Sequence, residues 1–379
     1  MENKVQIDAA VEAFRQLLLE QLARVERMEN DKATVKEAKK CLKIGIIDGD
    51  GIGPIIVGQA KRVAEKLLSD EIEKGSVALV EIEGLTIENR MASGKTLPDG
   101  VLAKIKECDV LLKGPTTTPK GGSMESANVA LRRELDLFAN VRPVSLPEKG
   151  IDWAFFRENT EGEYVLGSRG VTLGDKMAVD FKVTTYLGTE RIARAAFEYA
   201  RRNGKKNVAI VTKANIMKKT DGNFSAICHE VAKDYPEITA EDWYVDIMAA
   251  NLINESMASR FEVFVLPNLY GDILTDEAAQ IQGGVGTAGS ANTGDRYGMF
   301  EAIHGSAPRM VEQGIAEYAN PASILRALVM LLDHAELTDK ANKLTAAIAA
   351  TDADSSVTVT GDRDGATCRQ YTDALLANL

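Results

Sequence analysis

From Lys43 onward the chain alternates short apolar runs with stretches of helical periodicity, and no other feature narrows its possible folds as far. "KIGIID" suits a buried strand, whereas "GQAKRVAEKLL" spaces its apolar residues three and four apart, as one face of a helix requires. "VALVEIEG" and "CDVLLKGP" read as further strands. So do "WAFFRE", "NVAIVTK" and "FEVFVLPN", each closed by glycine or polar punctuation before helical periodicity resumes. Parallel strands need long crossovers, which helices supply, so the alternation predicts an α/β architecture with a largely parallel core. The glycine-dense stretch "QGGVGTAGSANTGDRYGMFEAIHGSAP" reads as the longest loop, and long loops in compact domains tend to be functional.

The first forty residues follow another pattern. Val11, Phe14, Leu18, Leu22 and Val25 recur at spacings of three and four, an apolar stripe on one helix. Such a helix either packs on its own globule or joins copies into a larger oligomer. The whole chain of 379 residues is long enough for one large or two medium domains. Its net charge of -11 argues against nonspecific binding to nucleic acid or to anionic membranes, which demand a basic surface. An anionic substrate is not excluded, because a local arginine cluster outweighs a distant net charge. The four cysteines form no CxxC pair and read as free thiols. No run reaches membrane-span length, and the N-terminus mixes acids with bases, unlike a signal or transit peptide. A cytoplasmic location is expected.

Four segments carry chemistry. "DGDGIGP" tempts a dinucleotide-fingerprint reading, but Gly49, Gly51 and Gly53 do not fit G-x-G-x-x-G, so tight strand-to-helix turning is expected instead. "SANVALRRELDLFANVRP" and "RENTEGEY" bring Arg132, Arg142 and Arg157, a residue type that binds carboxylates bidentately. Ser126 and Asn128 stand at the start of that helix, where they either cap it or bond a substrate carboxylate. Tyr164 and Lys213 could serve as proton donor and acceptor, or as a core tyrosine and a snorkelling lysine. "NLYGDILTDEAA" sets Asp272 and Asp276 one helical turn apart, a repulsive spacing unless a cation intervenes. With Asp246, these carboxylates suit a hard ion, Mg²⁺ or Mn²⁺, rather than zinc.

Taken in order, "GDGIGP", "LLKGPTTTP", "SANVALRRELDLFANVRP", "RENTEGEY", "KANIMK", "NLYGDILTDEAA" and "HGSAP" resemble the isocitrate and isopropylmalate dehydrogenase family from about residue 43 to the end. The resemblance implies a two-domain, non-Rossmann α/β fold with the active site in the interdomain cleft. Residues 43–137 with 283–379 would form the large domain, and 138–282 the small one. An arm near 162–190 would clasp a partner subunit, and residues 1–42 would be a helical extension. It further implies that Arg132, Arg142 and Arg157 hold the substrate carboxylates and that Tyr164 is the general acid. Lys213 and Asp246 would serve the neighbouring subunit's site, making a homodimer the minimum unit, with a higher oligomer through the N-terminal helix left open. Asp272 and Asp276 would hold the metal. Thr118 would lie near the nicotinamide, and Asn292, His304, Gly305 and Asn320 in the cofactor loop and its adenine contacts.

The resemblance also frames the substrate. Isopropylmalate enzymes place apolar residues where this chain has Ser126 and Asn128, the S-x-N pattern of isocitrate dehydrogenases. Oxidative decarboxylation of isocitrate, a tricarboxylate, is therefore expected. Homoisocitrate, isopropylmalate and tartrate- or malate-like acids are the alternatives, as is a non-catalytic regulatory subunit. Arg309 stands where NAD-using members resemble one another in carrying an aspartate, which favours NADP. The partner residues of the bacterial-type phosphate pocket have no counterpart in "SSVTVTGDRDGATCR", so NAD and NADP both remain open.

Overall fold

The structure, a computed structural model, describes residues 2–31, 41–119, 124–165, 170–284 and 288–379. The chain divides into two compact units, Ala38–Asp152 with Thr275–Leu379 and Met1–Glu37 with Trp153–Leu274.

In the first unit lie β1 (Leu42–Ile47), β2 (Val77–Glu81), β3 (Val110–Lys113), β4 (Ala139–Leu146), β11 (Gly289–Thr293) and β12 (Gly298–Ala302). Their order is β2-β1-β3-β12-β11-β4. The first four run parallel, and β11 pairs antiparallel with both β12 and β4. Helices cover the parallel strands, which is why β1 and β3 are near-continuous apolar runs rather than alternating ones. The expected boundary at residue 138 is displaced to 152, because β4 bonds to β11 and so belongs with this sheet.

Two expectations change here. The glycine-dense stretch is not one long loop, since it contains β11 and β12, joined by a short turn at Gly294–Tyr297. Its glycines serve close packing: a Cβ on Gly289 would sit 2.6 Å from the Ala327 nitrogen. The "DGDGIGP" segment is the tight turn expected, leading from β1 into the helix Gly53–Leu67. Gly49 and Gly51 take φ of +73° and +63° there, and Cβ atoms on them would meet the Pro115 and Ser306 carbonyls at 2.1 and 2.0 Å. Only glycine fits both the backbone and the space.

The second unit is built on β5 (Ile151–Glu158), β8 (Asn207–Thr212), β9 (Thr239–Tyr244) and β10 (Val263–Leu266), parallel in the order β5-β10-β8-β9. Trp153, Phe155, Phe261 and Phe264 fill its core, with Phe155 stacked on Phe264 at 4.2 Å. The helix Tyr186–Arg202 is capped by Thr185 and buries Ile192, Ala193, Ala196 and Phe197 at helical spacing. Within the segment expected to form the arm, β6 (Val171–Leu173) and β7 (Met177–Val179) make a hairpin, and the following helix begins at Tyr186. Residues 166–169 of that arm lie outside the described residues.

The N-terminal helix, Glu2–Asp31, docks on this second unit. Its buried side is one residue out of step with the apolar stripe read from the sequence. Leu17 is buried and Phe14 stacks on Phe181 at 4.8 Å, while Val11, Leu18 and Leu22 face away. Polar Gln21 and Arg24 complete the docked side, which hydrophobic periodicity alone could not register.

Candidate active site

Each unit carries its own set of the residues singled out in the sequence. In the first, Ser126 sits at the N-cap of the helix Ala127–Glu134, yet its hydroxyl caps no backbone N–H. Asn128 accepts at Oδ1 from the Thr116 hydroxyl at 3.1 Å, which leaves its two amide N–H groups to aim elsewhere. One turn further, Arg132 is largely buried with Nη2 3.5 Å from Glu301 Oε1. Its buried Nε has no acceptor among the described residues, the orphaned donor that a bound carboxylate would satisfy. Arg142, on β4, donates to Thr275 Oγ1 at 2.6 Å and to Asp276 Oδ1 at 2.9 Å.

Behind these residues lies a buried polar group that the sequence reading missed. Lys113, fully buried at the end of β3, donates to the Gly114 carbonyl at 2.9 Å and to Glu301 Oε2 at 3.2 Å. Burial lowers the Lys113 pKa against the pull of Glu301. For Glu301 burial acts upward, but Lys113 and Arg132 outweigh it and the net shift is downward. The signal was a lysine closing the apolar run "VLLK". Asn292, expected among the cofactor contacts, belongs to this group instead. It is fully buried, accepts from Asn140 Nδ2 at 3.0 Å and donates to Glu301 Oε1 at 2.9 Å, so a ligand cannot reach it.

Two loops stand at the ends of these strands. Asp50, in the turn after β1, accepts from the backbone N–H of Thr117 at 2.7 Å and of Ile87 at 2.8 Å. That fixes the loop carrying Thr118, whose own side chain is exposed. Thr117 and Ser306 join through their hydroxyls at 2.8 Å, and Ile52 N–H donates to the Ser306 carbonyl. His304 contacts the Gly305 carbonyl through Nδ1 at 3.0 Å, and packing around its ring lowers its pKa. Gly305 is exposed with open space where a Cβ would project. Arg309 is exposed on the short helix Pro308–Glu312, and Asn320 Oδ1 accepts from Ala322 N–H at the start of the helix Ala322–His334.

In the second unit, Arg157 is the next-to-last residue of β5, buried to 1% side-chain exposure. Its Nε donates to Asn268 Oδ1 at 2.8 Å and its Nη1 to Asp272 Oδ1. Gly271 lets the arginine stem lie against the helix Asn268–Ile281, since a Cβ there would fall 2.5 Å from Arg157 Cγ. The Tyr164 hydroxyl donates to Asp272 Oδ2 at 2.7 Å, and the Arg157 guanidinium lies 5.3 Å from the Tyr164 ring centre. Lys213, just past β8, is paired with Asp246 at 2.6 Å rather than with Tyr164. That bond holds the Asp246 carboxyl below its ordinary range.

Asp272 and Asp276 therefore share one helix, and an arginine partly compensates each. The donor set is all oxygen and acidic, which fits Mg²⁺ or Mn²⁺. Among the described residues no three of His, Cys, Asp and Glu gather to complete a metal site within one chain, so Asp246 does not join this pair here.

The family model for isocitrate/isopropylmalate dehydrogenases matches residues 43–375. The chain belongs to the isocitrate/isopropylmalate dehydrogenase family. It is 36% identical to the mitochondrial isocitrate dehydrogenase [NAD] subunit 2 of Schizosaccharomyces pombe, over 91% of this chain and 89% of that one. It is 37% identical to the homoisocitrate dehydrogenase of Methanocaldococcus jannaschii, over 81% and 89%. The crystal structure of isocitrate dehydrogenase from Methylococcus capsulatus superposes with a TM-score of 0.79 at 36% identity, covering 89% of this chain and 99% of that one. A dehydrogenase of this family thus has the mixed α/β fold that the sequence implied. Among the described residues no helix is long and apolar enough to cross a membrane.

Proposed function

We propose that the chain catalyses the metal-dependent oxidative decarboxylation of isocitrate to 2-oxoglutarate and CO₂ with reduction of NAD or NADP. The observation that carries the choice of substrate is the start of the helix Ala127–Glu134. Ser126 spends no hydroxyl on capping, Asn128 uses only its Oδ1 on Thr116, and Arg132 keeps an unbonded buried Nε. A third carboxylate finds donors there, whereas an isopropyl group would strand them at about 1–3 kcal/mol each. Homoisocitrate differs by one methylene, and the same donors suit it, so it is the second reading.

The residues divide the work by chemistry. Arg132, Arg142 and Arg157 orient the substrate carboxylates in forked hydrogen bonds. Asp272 and Asp276 would hold Mg²⁺ or Mn²⁺, which when bound polarises the hydroxyl oxygen and stabilises the negative charge left on it as CO₂ departs. Asp246 would complete that set from a second copy of the chain, with Lys213 Nζ beside it to accept the hydroxyl proton. A homodimer follows as the working unit. Tyr164 Oη, held by Asp272, would deliver a proton to the carbon that CO₂ leaves. The loop of His304, Gly305 and Arg309, with Thr118 and Asn320, would hold the nicotinamide cofactor, which would supply the hydride acceptor. The guanidinium of Arg309 is exposed and has no acceptor among the described residues, which suits a 2′-phosphate.

Retention of Tyr164, Lys213, Asp246, Asp272 and Asp276 favours a catalytic chain over a regulatory subunit. Initial rates with Mn²⁺ and NAD or NADP, comparing isocitrate, homoisocitrate and isopropylmalate, test the reading. Fastest turnover of isocitrate supports it. Fastest turnover of either other acid moves the substrate assignment, and no turnover of any removes the catalytic reading.

A further inference from the structure

We propose that Arg24, on the N-terminal helix and outside the family match, is a positioning residue for the Arg157–Tyr164 half of the active site; the proposal rests on the reading of that half given above. The end of β5 and the segment after it carry two buried carboxylates, Glu158 and Glu161, each 2% exposed. Glu158 turns back on its own chain, accepting from Thr160 N–H at 2.9 Å, the Thr160 hydroxyl at 2.7 Å and Glu161 N–H at 2.7 Å. Glu161 accepts from Thr185, through backbone N–H at 2.8 Å and through the hydroxyl. None of these donors carries charge.

Arg24 supplies it. One Nη2 donates to Glu161 Oε1 at 3.0 Å and to the Thr160 hydroxyl at 3.2 Å, and Gln21 Oε1 steadies Nη1 at 3.3 Å. A second arginine, Arg191, reaches the Thr160 hydroxyl at 3.3 Å. Burial and Glu161 raise the Glu158 pKa to about 7, with Arg24 among the groups pulling the other way.

A continuous bonded path leads from Arg24 to the site. The Glu161 carbonyl accepts from Asn268 Nδ2 at 3.0 Å, and the same amide's Oδ1 accepts from Arg157 Nε at 2.8 Å. Arg157 and Tyr164 both then bond to Asp272. Glu161 itself lies between Arg157 and Tyr164 in the chain, within "RENTEGEY". Removing Arg24 leaves a buried carboxylate without its cation. The relief is to move Glu161 toward water, and its carbonyl takes Asn268 and Arg157 along. Arg24 touches no substrate-binding group and acts only through this path.

The test uses the full chain with Arg24→Met, Arg24→Lys and the double variant Arg24→Met/Glu161→Gln, measured for kcat and KM alongside the wild type. Misplacing reacting groups by about 1 Å costs on the order of a hundredfold in rate, so Arg24→Met should lower kcat by roughly ten- to a hundredfold. The KM for the nicotinamide cofactor should not change. Arg24→Lys, which keeps the charge, should recover much of the loss, and so should the double variant, which removes the charge that needed balancing. A wild-type kcat in Arg24→Met overturns the proposal. So does a loss that neither lysine nor Glu161→Gln repairs, because it would show only that the helix supports folding. If Arg24→Met does not fold, Arg24→Lys and the double variant decide alone. A wild type that turns over no 2-hydroxy acid would instead remove the site reading and this proposal together.

Discussion

Replacing Asp272 or Asp276 by asparagine should give two proteins that are alike in chemistry and unlike in stability. Both substitutions remove one of the paired helix carboxylates. Asp272 neutralises Arg157, whose side chain is 1% exposed, whereas Asp276 is 64% exposed and its partner Arg142 keeps Thr275. Breaking a buried ion pair costs about 3–5 kcal/mol, and the 39% exposure of Asp272 brings the expectation down to about 2–3 kcal/mol. For a unit of this size that is a fall in Tm of about 4–12 °C. Asp276→Asn should cost no more than about 1 kcal/mol, or roughly 2–4 °C. Calorimetric melts in EDTA measure both losses without metal, and repeating them with Mn²⁺ tests ligation. Mn²⁺ should raise the wild-type Tm and leave both variants nearly unmoved, with turnover lost in each. Equal Tm losses in EDTA would refute the argument from Arg157 burial. An unaltered Mn²⁺ response in Asp276→Asn would remove it from the metal site.

Tyr164→Phe should lower kcat about 10²- to 10⁴-fold, the usual worth of a general acid, with substrate KM little changed; steady-state rates decide, and an undiminished kcat assigns the proton to another group. Ser126→Leu should raise the KM for isocitrate about ten- to a hundredfold through one lost charge-assisted bond, while melts stay within about 2 °C because no cap is lost. Arg309→Asp should lower the NADP-to-NAD ratio of kcat/KM at least about tenfold if Arg309 takes the 2′-phosphate, and an unchanged ratio places that contact elsewhere. Glu158 also makes stability depend on pH. Its folded pKa of about 7 lies above the ordinary 4.5, so the folded state binds the extra proton and stability falls as pH rises between those values. Urea titrations from pH 4.5 to 7 should show that fall in the wild type, and Glu158→Gln should flatten it.

The sequence showed the alternation of strands and helices because burial on both faces leaves uninterrupted apolar runs at β1, β3, β8 and β10. The paired aspartates were legible for a similar reason: four residues is one turn whatever surrounds the helix. Partners distant in sequence were not. Nothing in "VLLK" says that Lys113 meets Glu301, 188 residues away, and nothing in the N-terminal stripe shows Arg24 meeting Glu161. The hairpin of β11 and β12 was hidden by composition, since "GSANT" and its flanking glycines carry the residues that favour turns. Asn292 was misplaced because the motif fixes a position along the chain, whereas accessibility depends on which face of β11 the side chain takes.

Buried amides at Asn140 and Asn292 give that hairpin a single tolerable alignment. Asn292 lies opposite both Asn140 on β4 and Met299 on β12. Sliding β11 by one residue would turn its amide to the other side of the sheet, leaving Asn140 stranded without Asn292 and Ser290, while Glu301 would lose one donor and keep Lys113. Each stranded group costs about 1–3 kcal/mol, so a slipped pairing is rejected even though small residues pack much the same in either position. The amides thus favour one strand alignment over its neighbours. Leucine at position 292 would keep the apolar contacts yet admit more than one alignment, trading a unique sheet for a set of near-equals.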